Sequence, residues 1–334
     1  MKRVAINGMG REGRSILRQF AQTGSDELTI VAANDLMTPD NVAYLLKYDS
    51  TYGPCQQAVS VADGELSIGD HTLRVFSEPD PQRLPWNDLD IDIVIDCSGK
   101  FTHRNDAQRH IDAGARRVLI AAPAPDADVM LVMGVNESAF DPQQHTIISN
   151  ASCTTNSLAP PLKLLHDNFG IDYALVTTIH SYTASQAMVD SASKKVIRGR
   201  AGAVNIIPTA TGADTATVAV LPELEGRLTA LAVRVPVVNG SMTDISLHLT
   251  KETSAEQINQ LFKEASEGAL GNIIGYTEEP LVSSDIIGNP HSCIVHSLST
   301  RVLGGSAVKL QLWYDNEFAY AKRCLDMVEL LPLG

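Results

Sequence analysis

A glycine-rich turn between an apolar strand and an amphipathic helix constrains the fold of this 334-residue chain more than any other feature. Residues 3–7 are mostly apolar and predict a buried strand, whereas residues 11–23 carry apolar side chains at helical spacing. The segment between them, Gly8–Gly13, has the pattern G-x-G-x-x-G, and a second apolar strand is predicted at 28–34. This order predicts a strand–turn–helix–strand unit within a parallel sheet.

The turn and the acid that follows the second strand suit a dinucleotide. Glycines let the backbone approach a pyrophosphate, which then lies at the positive end of the helix. Asp35 comes 22 residues after Gly13, where a carboxylate accepts hydrogen bonds from the ribose hydroxyls and repels a 2′-phosphate. We therefore expect NAD rather than NADP, the alternative being a strand–helix turn without a ligand. Glu12 is discordant, because it would repel the pyrophosphate unless it points to solvent or pairs with Arg11 or Arg14.

The alternation of strands and helices continues to about residue 150 and then changes. Strands predicted at 90–97 and 117–121 flank a helix predicted at 103–113. Beyond residue 150, a helix is predicted at 153–168, and strand-like segments with hairpin-like spacing follow at 171–180, 228–236, 242–249 and 306–314. Residues 182–207 lack periodicity and predict a long ordered loop, a feature that is usually functional in a compact domain.

These elements predict an α/β chain with two domains, in agreement with its length. Residues 1–150 are expected to form a Rossmann-type parallel-sheet domain that binds NAD. Residues 151–315 are expected to form an α+β catalytic domain with a mostly antiparallel or mixed sheet. The C-terminal helix, at 316–334, is expected to pack back on the first domain, because one face of that sheet would otherwise be thinly covered.

Composition argues against several partners. The formal net charge is −13 and no block of Lys and Arg occurs, so neither nucleic acid nor an anionic membrane is expected as the principal partner. No stretch approaches the roughly 20 apolar residues of a membrane span, and no signal-peptide core precedes the first strand. The five cysteines are odd in number and lack a C-x-x-C spacing, which favours neither a disulfide framework nor a metal site. A cytoplasmic location is expected.

A cysteine and a histidine are the candidates for covalent catalysis. Cys153 lies at the start of the helix predicted at 153–168, where the helix dipole and unpaired backbone N–H groups favour a nucleophilic thiolate. The same N–H groups can stabilise an oxyanion. His180 ends a predicted strand and could pair with Cys153 in space. The alternatives are a small core cysteine and a histidine whose hydrogen bonds are merely structural.

Arginines and threonines cluster in the second half of the chain. Arg198 and Arg200 lie in the long loop and Arg234 lies further along the second domain, together with Thr183 and Thr211. Guanidinium and hydroxyl groups of this kind bind phosphate well. Their alternative roles are a solvated loop face or salt bridges between subunits.

The segment 149–156, SNASCTTN, resembles the active-site signature of the phosphorylating glyceraldehyde-3-phosphate dehydrogenases. Other segments of that family match in the same order along essentially the whole chain, at 4–14, 45–50 (LLKYDS), 205–209 (NIIPT), 234–236 (RVP) and 313–317 (WYDNE). The resemblance implies that Cys153 attacks the aldehyde, that His180 acts as the base, and that inorganic phosphate cleaves the thioacyl enzyme. The product would be 1,3-bisphosphoglycerate.

The resemblance also implies binding residues and an assembly. The residues implied for the substrate phosphate and for inorganic phosphate are Ser152, Thr154, Thr183, Arg198, Thr211, Gly212 and Arg234. The cofactor-binding residues are predicted to be Gly8, Gly10, Arg11, Glu12, Gly13, Asp35, Ser98, Gly99, Asn316 and Tyr320. The segment 182–207 resembles a loop that reaches the cofactor of a neighbouring subunit, which implies a homotetramer.

Two alternatives to this function stay open at this point. Erythrose-4-phosphate dehydrogenase is a sibling with a longer substrate and water as the acyl acceptor. The intact HSYT at 180–183 and PTATG at 208–212 favour the phosphorylating enzyme. The other alternative is a paralogue with a binding or regulatory role, in which Glu12 weakens cofactor binding. Ser191 and Ala192 also depart from the family pattern on the cofactor side, so the strictness of the NAD preference is open.

Overall fold

The computed structural model describes residues 1–332, and the chain divides into two compact units. Unit 1 comprises Met1–Leu131, Glu137–Ser152 and the chain from Tyr320 onwards. Unit 2 comprises Val132–Asn136 and Cys153–Ala319. The change of unit at Ser152 lies two residues after the predicted end of the first domain, and the roles given to the two domains stay predictions.

Unit 1 is built on a sheet that is parallel in its centre. Its elements in chain order are β1 (Lys2–Asn7), α1 (Arg11–Thr23), β2 (Leu28–Asn34), α2 (Pro39–Lys47), β3 (Val59–Ala62), β4 (Glu65–Ile68), β5 (His71–Phe76), β6 (Ile93–Asp96), α3 (Arg104–Asp112), β7 (Arg117–Ile120), β8 (Val129–Met130) and β9 (Ile147–Ser149). Within residues 1–332 this sheet has nine strands in the order β3-β4-β5-β2-β1-β6-β7-β9-β8. The pairs β3–β4 and β4–β5 are antiparallel, and the pairs from β5 to β8 are parallel.

Unit 2 has a mixed sheet with helices against one face. Its elements are α4 (Cys153–Phe169), β10 (Ile171–Ser181), β11 (Ile207–Ala210), α5 (Ala213–Val220), β12 (Leu228–Val235), β13 (Ser241–Leu249), α6 (Ala255–Glu267), β14 (Ile274–Thr277), β15 (Cys293–His296), β16 (Arg301–Leu303) and β17 (Ala307–Tyr314). The strand order is β11-β12-β10-β13-β17-β15-β14, with β16 beside β17. Alternate strand residues such as Val176, Ile245 and Leu310 pack with Leu162 of α4 and Phe262 of α6 in one core.

The final helix, α7 (Phe318–Leu330), begins in unit 2 and continues from Tyr320 as part of unit 1. Its predicted range of 316–334 was longer, and residues 333 and 334 lie outside the described residues. Within unit 1, the Lys2 ammonium donates a 2.9 Å hydrogen bond to the carbonyl of Val328. The first strand and the last helix of the chain are therefore joined.

Several elements escaped the sequence analysis for physical reasons. The strands β3, β4 and β5 are short and half-exposed, so they lack the apolar run that marked β1 and β2. The segment 182–207 forms a loop with two short 3₁₀ turns, as expected of a stretch without periodicity. No helix within the described part of the chain is long and apolar enough to cross a membrane.

Candidate active site

The glycine turn of unit 1, residues 8–13, forms a cradle whose shape depends on the missing side chains of Gly8 and Gly13. Gly8 has φ +97°, and a Cβ there would lie 2.6 Å from the amide nitrogen of Ser98. A Cβ on Gly13 would lie 2.1 Å from the carbonyl oxygen of Gly8, so this glycine lets α1 approach β1. A Cβ on Gly10, at the N-cap of α1, meets no protein atom within 4 Å. The cradle therefore leaves open space at Gly10, where the helix dipole favours an anionic pyrophosphate.

An open cleft with about 630 Å³ of empty volume adjoins this cradle. Asp35 lies in its wall, where the carboxylate accepts hydrogen bonds from the backbone N–H groups of Met9 (2.6 Å) and Met37 (2.8 Å). Each carboxylate oxygen keeps a further lone pair, so these bonds hold Asp35 in place without using its whole accepting capacity. The lining residues are Asn7, Gly8, Gly10, Asn34, Asp35, Leu36, Glu78, Pro79, Cys97, Ser98, Lys100 and Phe101. Gly99 follows Ser98 in the same loop.

A buried polar network behind the cleft was missed by the sequence analysis. Asn7, Asn34 and Asp96 are the last residues of β1, β2 and β6, and they form a chain of 2.8 Å hydrogen bonds. The indole N–H of Trp86 donates to Nδ1 of His110, so Nε2 carries the ring hydrogen and donates to Asp96 at 3.1 Å. The polar residue at the end of each apolar strand was the signal available in the sequence.

The charged residues of the turn lie in different surroundings. Arg11 forms an ion pair with Asp49. Glu12 is half-buried, with one carboxylate oxygen inaccessible to solvent. Its charge adds to burial in raising the pKa of the Cys97 and Cys324 thiols. The Glu12 carboxylate therefore faces the interior of unit 1. It does not point into open solvent, which is one of the two arrangements that the sequence suggested.

The two C-terminal cofactor candidates are both buried. The Oδ1 atom of Asn316 accepts hydrogen bonds from the hydroxyls of Ser181 (2.8 Å) and Ser241 (2.7 Å) in unit 2. These contacts orient the side chain so that its amide nitrogen is the group left for a ligand. In unit 1, the Tyr320 hydroxyl donates to the carbonyl of Ala151 at 2.9 Å.

The candidate nucleophile and base lie together in unit 2. Cys153 is the first residue of the 17-residue helix α4, and its Sγ lies 3.6 Å from Nε2 of His180 near the end of β10. The thiol is half-buried, whereas the histidine side chain is 4% exposed. The pair thus combines an accessible sulfur, a helix N-terminus and an imidazole nitrogen within hydrogen-bond reach.

Arg234 contacts the far side of the same histidine. Parallel pairing of β10 with β12 puts His180 directly beside Arg234. Nη1 of Arg234 lies 2.6 Å from Nδ1 of His180 and donates to the carbonyl of Ser181 at 2.8 Å. Burial, followed by the charge of Arg234, lowers the pKa of His180 from 6.5 to about 3. The imidazole is therefore neutral at pH 7.

Tyr314 is a residue of this site to which the sequence analysis gave no role. Its hydroxyl is buried between the hydroxyls of Thr154 (3.0 Å) and Thr178 (2.8 Å). Its ring stands edge-on to the His180 imidazole, with centroids 6.0 Å apart. Burial raises the pKa of Tyr314, so it stays protonated and ties the first turn of α4 to β10 and β17.

The predicted phosphate ligands are only partly brought together. Nε of Arg198 donates to Thr209 at 3.1 Å, and its charge also lowers the pKa of His180. This contact fixes Arg198 to β11, which leads directly to Thr211 and Gly212. The Thr211 hydroxyl accepts a 3.2 Å bond from the N–H of Ala213 at the start of α5.

The remaining candidates lie elsewhere in their units. The Thr183 hydroxyl bonds to that of Ser185 at 2.8 Å. Arg200 forms a 2.8 Å ion pair with Asp190 on the exposed loop. Ser152 is the last residue of unit 1, immediately before Cys153.

A glycine-rich cradle in one unit and a cysteine–histidine pair at a helix start in the other are features of an NAD-dependent dehydrogenase. Residues 2–104 match the NAD binding domain of glyceraldehyde 3-phosphate dehydrogenase, and residues 152–316 match its C-terminal domain. The chain is 50% identical over 331 residues to the glyceraldehyde-3-phosphate dehydrogenase of Thermotoga maritima, with 99% of both chains covered. It is 47% identical over 325 residues to glyceraldehyde-3-phosphate dehydrogenase 1 of Bacillus subtilis, covering 97% of this chain and 96% of that protein.

The chain therefore belongs to the glyceraldehyde-3-phosphate dehydrogenase family. The predictions of the family, of the α/β fold class, of a dehydrogenase and of NAD as its cofactor are confirmed. The individual site residues stay predictions.

Proposed function

We propose that this chain oxidises glyceraldehyde 3-phosphate with NAD and inorganic phosphate, forming 1,3-bisphosphoglycerate and NADH. The observation that carries the proposal is the 3.6 Å approach of Cys153 Sγ to His180 Nε2 at the start of α4, in a chain of this family. A thiolate there attacks the aldehyde carbon and forms a thiohemiacetal. The N–H groups of the first helical turn support the oxygen that becomes negative.

His180 moves the protons of this reaction. Its Nε2 accepts the hydroxyl proton of the thiohemiacetal as the carbon is oxidised to a thioester. An oxygen of inorganic phosphate then attacks the thioester carbon, and the sulfur leaves as the thiolate of Cys153. Arg198 and Arg234 are the proposed ligands of the substrate phosphate, with Thr183. Ser152, Thr154, Thr211 and Gly212 are proposed for inorganic phosphate.

When bound, NAD would supply the hydride acceptor that this oxidation needs. The cradle at Gly8, Gly10 and Gly13 fits its pyrophosphate, since the space at Gly10 is open and the dipole of α1 is favourable. Asp35 has lone pairs for the adenosine ribose, and the Asn316 amide nitrogen can donate to the nicotinamide carboxamide. We propose Ser98, Gly99, Arg11, Glu12 and Tyr320 as further neighbours of the cofactor.

The central test measures NADH formation from glyceraldehyde 3-phosphate and from erythrose 4-phosphate, each with and without inorganic phosphate. We expect turnover of the first aldehyde that requires phosphate. Preference for erythrose 4-phosphate without phosphate would assign the chain to the sibling activity. Absence of NADH from both aldehydes would leave only a binding role.

Variants of two half-buried cysteines assign the nucleophile. Cys153→Ala should abolish NADH formation and the rapid reaction with iodoacetamide. Cys55→Ala is the matched control, because Cys55 is also half-buried but lies in the loop between α2 and β3, where its thiol bonds to Gln57. His180→Asn should lower turnover by about 10²–10⁴-fold. Activity that survives Cys153→Ala would move the nucleophile elsewhere.

The assembly is proposed to be a homotetramer. The face of the unit 2 sheet opposite its core exposes apolar side chains, including Tyr173, Leu175 and Leu231. The loop at 182–207 exposes others, including Met188 and Val196. The sheet residues lie on the neighbouring strands β10 and β12, and an exposed apolar patch of this kind is typical of an interface. Sedimentation should give four times the mass of one chain, and Leu231→Lys should lower it.

Cytoplasmic location is part of the same proposal. Its support is that none of the five cysteines, all within the described residues, forms a disulfide. Fractionation of the source cells should recover the activity with the cytoplasmic proteins.

A further inference from the structure

Three polar side chains stand in one row at the edge of the unit 1 sheet, behind the cleft beside the glycine turn. The strand registers pair Asn7 with Asn34 on one side and with Asp96 on the other. Glu78 and Ser98, which also line the cleft, follow the strands β5 and β6 at the two ends of the order β5-β2-β1-β6. The row therefore connects the chain segments on the two sides of the cleft.

A backbone N–H fixes the direction of the hydrogen bonds at one end of the row, because it can only donate. The N–H of Glu78 donates to Oδ1 of Asn34 at 2.9 Å. The amide nitrogen of Asn34 therefore donates to Oδ1 of Asn7 at 2.8 Å. The amide nitrogen of Asn7 then donates to Oδ2 of Asp96, also at 2.8 Å.

An indole N–H fixes the direction at the other end. Trp86 donates to Nδ1 of His110 at 3.0 Å, so the ring hydrogen is on Nε2, which donates to Oδ2 of Asp96 at 3.1 Å. Nε2 also lies 3.4 Å from the amide nitrogen of Asn7, as expected of two donors that share one acceptor oxygen. Both ends of the network thus point towards the buried carboxylate of Asp96.

The second oxygen of that carboxylate holds the loop at 97–101, which follows β6. Oδ1 of Asp96 accepts from the backbone N–H of Ser98 at 3.0 Å and from its hydroxyl at 2.7 Å. The Ser98 hydroxyl oxygen accepts in turn from the N–H of Lys100 at 3.1 Å. Asp96 therefore accepts from four donors, two in this loop and two in the network behind it.

We infer that Asp96 is a positioning residue for the dinucleotide: its carboxylate holds loop 97–101 at the cofactor cleft, and Asn7 and His110 keep that carboxylate in the required orientation. Asp96 acts through Ser98 and needs no contact of its own with the ligand. A loop that is already held in place loses less conformational entropy when a ligand binds, so releasing it weakens affinity. The inference rests on the proposed function, since it takes this cleft as the place of NAD.

The first experiment removes half of the acceptor capacity of the carboxylate without changing its shape. In Asp96→Asn the new amide nitrogen faces either the Ser98 donors or the donors of Asn7 and His110, so one pair of hydrogen bonds is lost. The full-length protein is titrated with NAD in a calorimeter, without an aldehyde. We expect the Kd for NAD to rise about tenfold with an unchanged number of binding sites.

Asp92→Asn is the matched control. Asp92 is a second buried aspartate of unit 1, immediately before the other end of β6, where it accepts from the N–H of Arg3 at 2.8 Å. Its replacement should leave the Kd for NAD within about twofold of the wild type. A merely structural role of Asp96 would lower the number of binding sites or move both variants alike, whereas positioning raises the Kd in Asp96→Asn alone.

A pair of substitutions at His110 tests the support of the carboxylate. The amide nitrogen of glutamine stands as far along its side chain as Nε2 of histidine, whereas that of asparagine reaches only as far as Nδ1. His110→Gln can therefore still donate to Asp96 and should bind NAD within about threefold of the wild type. His110→Asn places the same amide in the same surroundings without that bond, and its Kd should rise about tenfold.

An unchanged Kd in Asp96→Asn, or equal rises in Asp96→Asn and Asp92→Asn, would overturn the inference. If Asp96→Asn does not fold, the His110 pair decides, and equal affinities of His110→Gln and His110→Asn would overturn it. NADH formation is measured separately at saturating NAD. A wild type that binds NAD but forms no NADH from either aldehyde would reject the proposed function and keep the inference, whereas NADH formation with an unchanged Kd in Asp96→Asn would reject the inference alone.

Discussion

Acidification should destabilise this protein through one buried histidine. The pKa of His180 is about 3 in the folded chain, and its unfolded value is 6.5. Between these values the unfolded chain binds more protons than the folded chain, so the free energy of unfolding falls as pH falls from about 6.5 to 3. Titration of His180 alone lowers the free energy of unfolding by about 2 kcal/mol at pH 5 and by about 5 kcal/mol below pH 3.

The assay compares the drop in unfolding free energy between pH 7.5 and pH 5.0 in urea, at one protein concentration. In His180→Asn the group no longer titrates, so its drop should be about 2 kcal/mol smaller than that of the wild type. Because each protein is compared with itself at the two pH values, any packing cost of the substitution at pH 7.5 cancels from the difference. His103→Asn, at a side chain that is 71% exposed, controls for the loss of one imidazole. Equal drops in His180→Asn and the wild type would refute the reasoning.

Three further outcomes concern the cofactor cleft. Gly8→Ala should lower the free energy of unfolding by at least about 1–3 kcal/mol, because of its positive φ and the nearby Ser98 amide. Gly10→Ala should change the free energy of unfolding by less than about 0.5 kcal/mol and still weaken NAD binding. Calorimetric titration of both variants with NAD tests this, and normal NAD binding by Gly10→Ala would contradict it. Asp35→Asn should narrow the ratio of kcat/KM with NAD to that with NADP by about tenfold, and an unchanged ratio would place the discrimination elsewhere. Glu12→Gln should tighten NAD binding about fivefold if a repulsion of about 1 kcal/mol acts there, with a gain that shrinks as salt is raised; equal affinity would mean that the inward-facing carboxylate does not affect the pyrophosphate.

Local signals in the sequence were enough for the elements around the glycine turn. The bounds predicted for α1 and β2 agree with the structure, because Gly10 and Gly24 mark the helix ends and the strand is mostly apolar. The hairpin strands β3 and β4 gave no such signal, since β3 alternates between half-buried and exposed residues and only Leu66 and Ile68 of β4 are buried. Burial on one face of a short edge strand is too weak a pattern to distinguish from a loop.

The pair Cys153 and His180 could be named from the sequence, but their geometry could not. Cys153 was marked by its position at a helix start, which is a local property. The contact between His180 and Arg234 arises from the register of β10 and β12, and a single sequence does not reveal which residues of two strands become neighbours. The role of Tyr314 was hidden for the same reason, because its partners Thr154 and Thr178 come from α4 and β10.

The register of β10 and β12 also has a consequence for how the chain acquires its activity during folding. His180 and Arg234 are 54 positions apart, and the strand β11 and helix α5 lie between them in the chain. Closing a loop of this length costs conformational entropy before the contact contributes any stability, and non-local pairings of this kind form slowly. Unit 2 should therefore gain helical content well before it becomes competent for chemistry. The length of the intervening segment, in contrast, can change in evolution without moving either side chain, because the ladder between the two strands alone sets their distance.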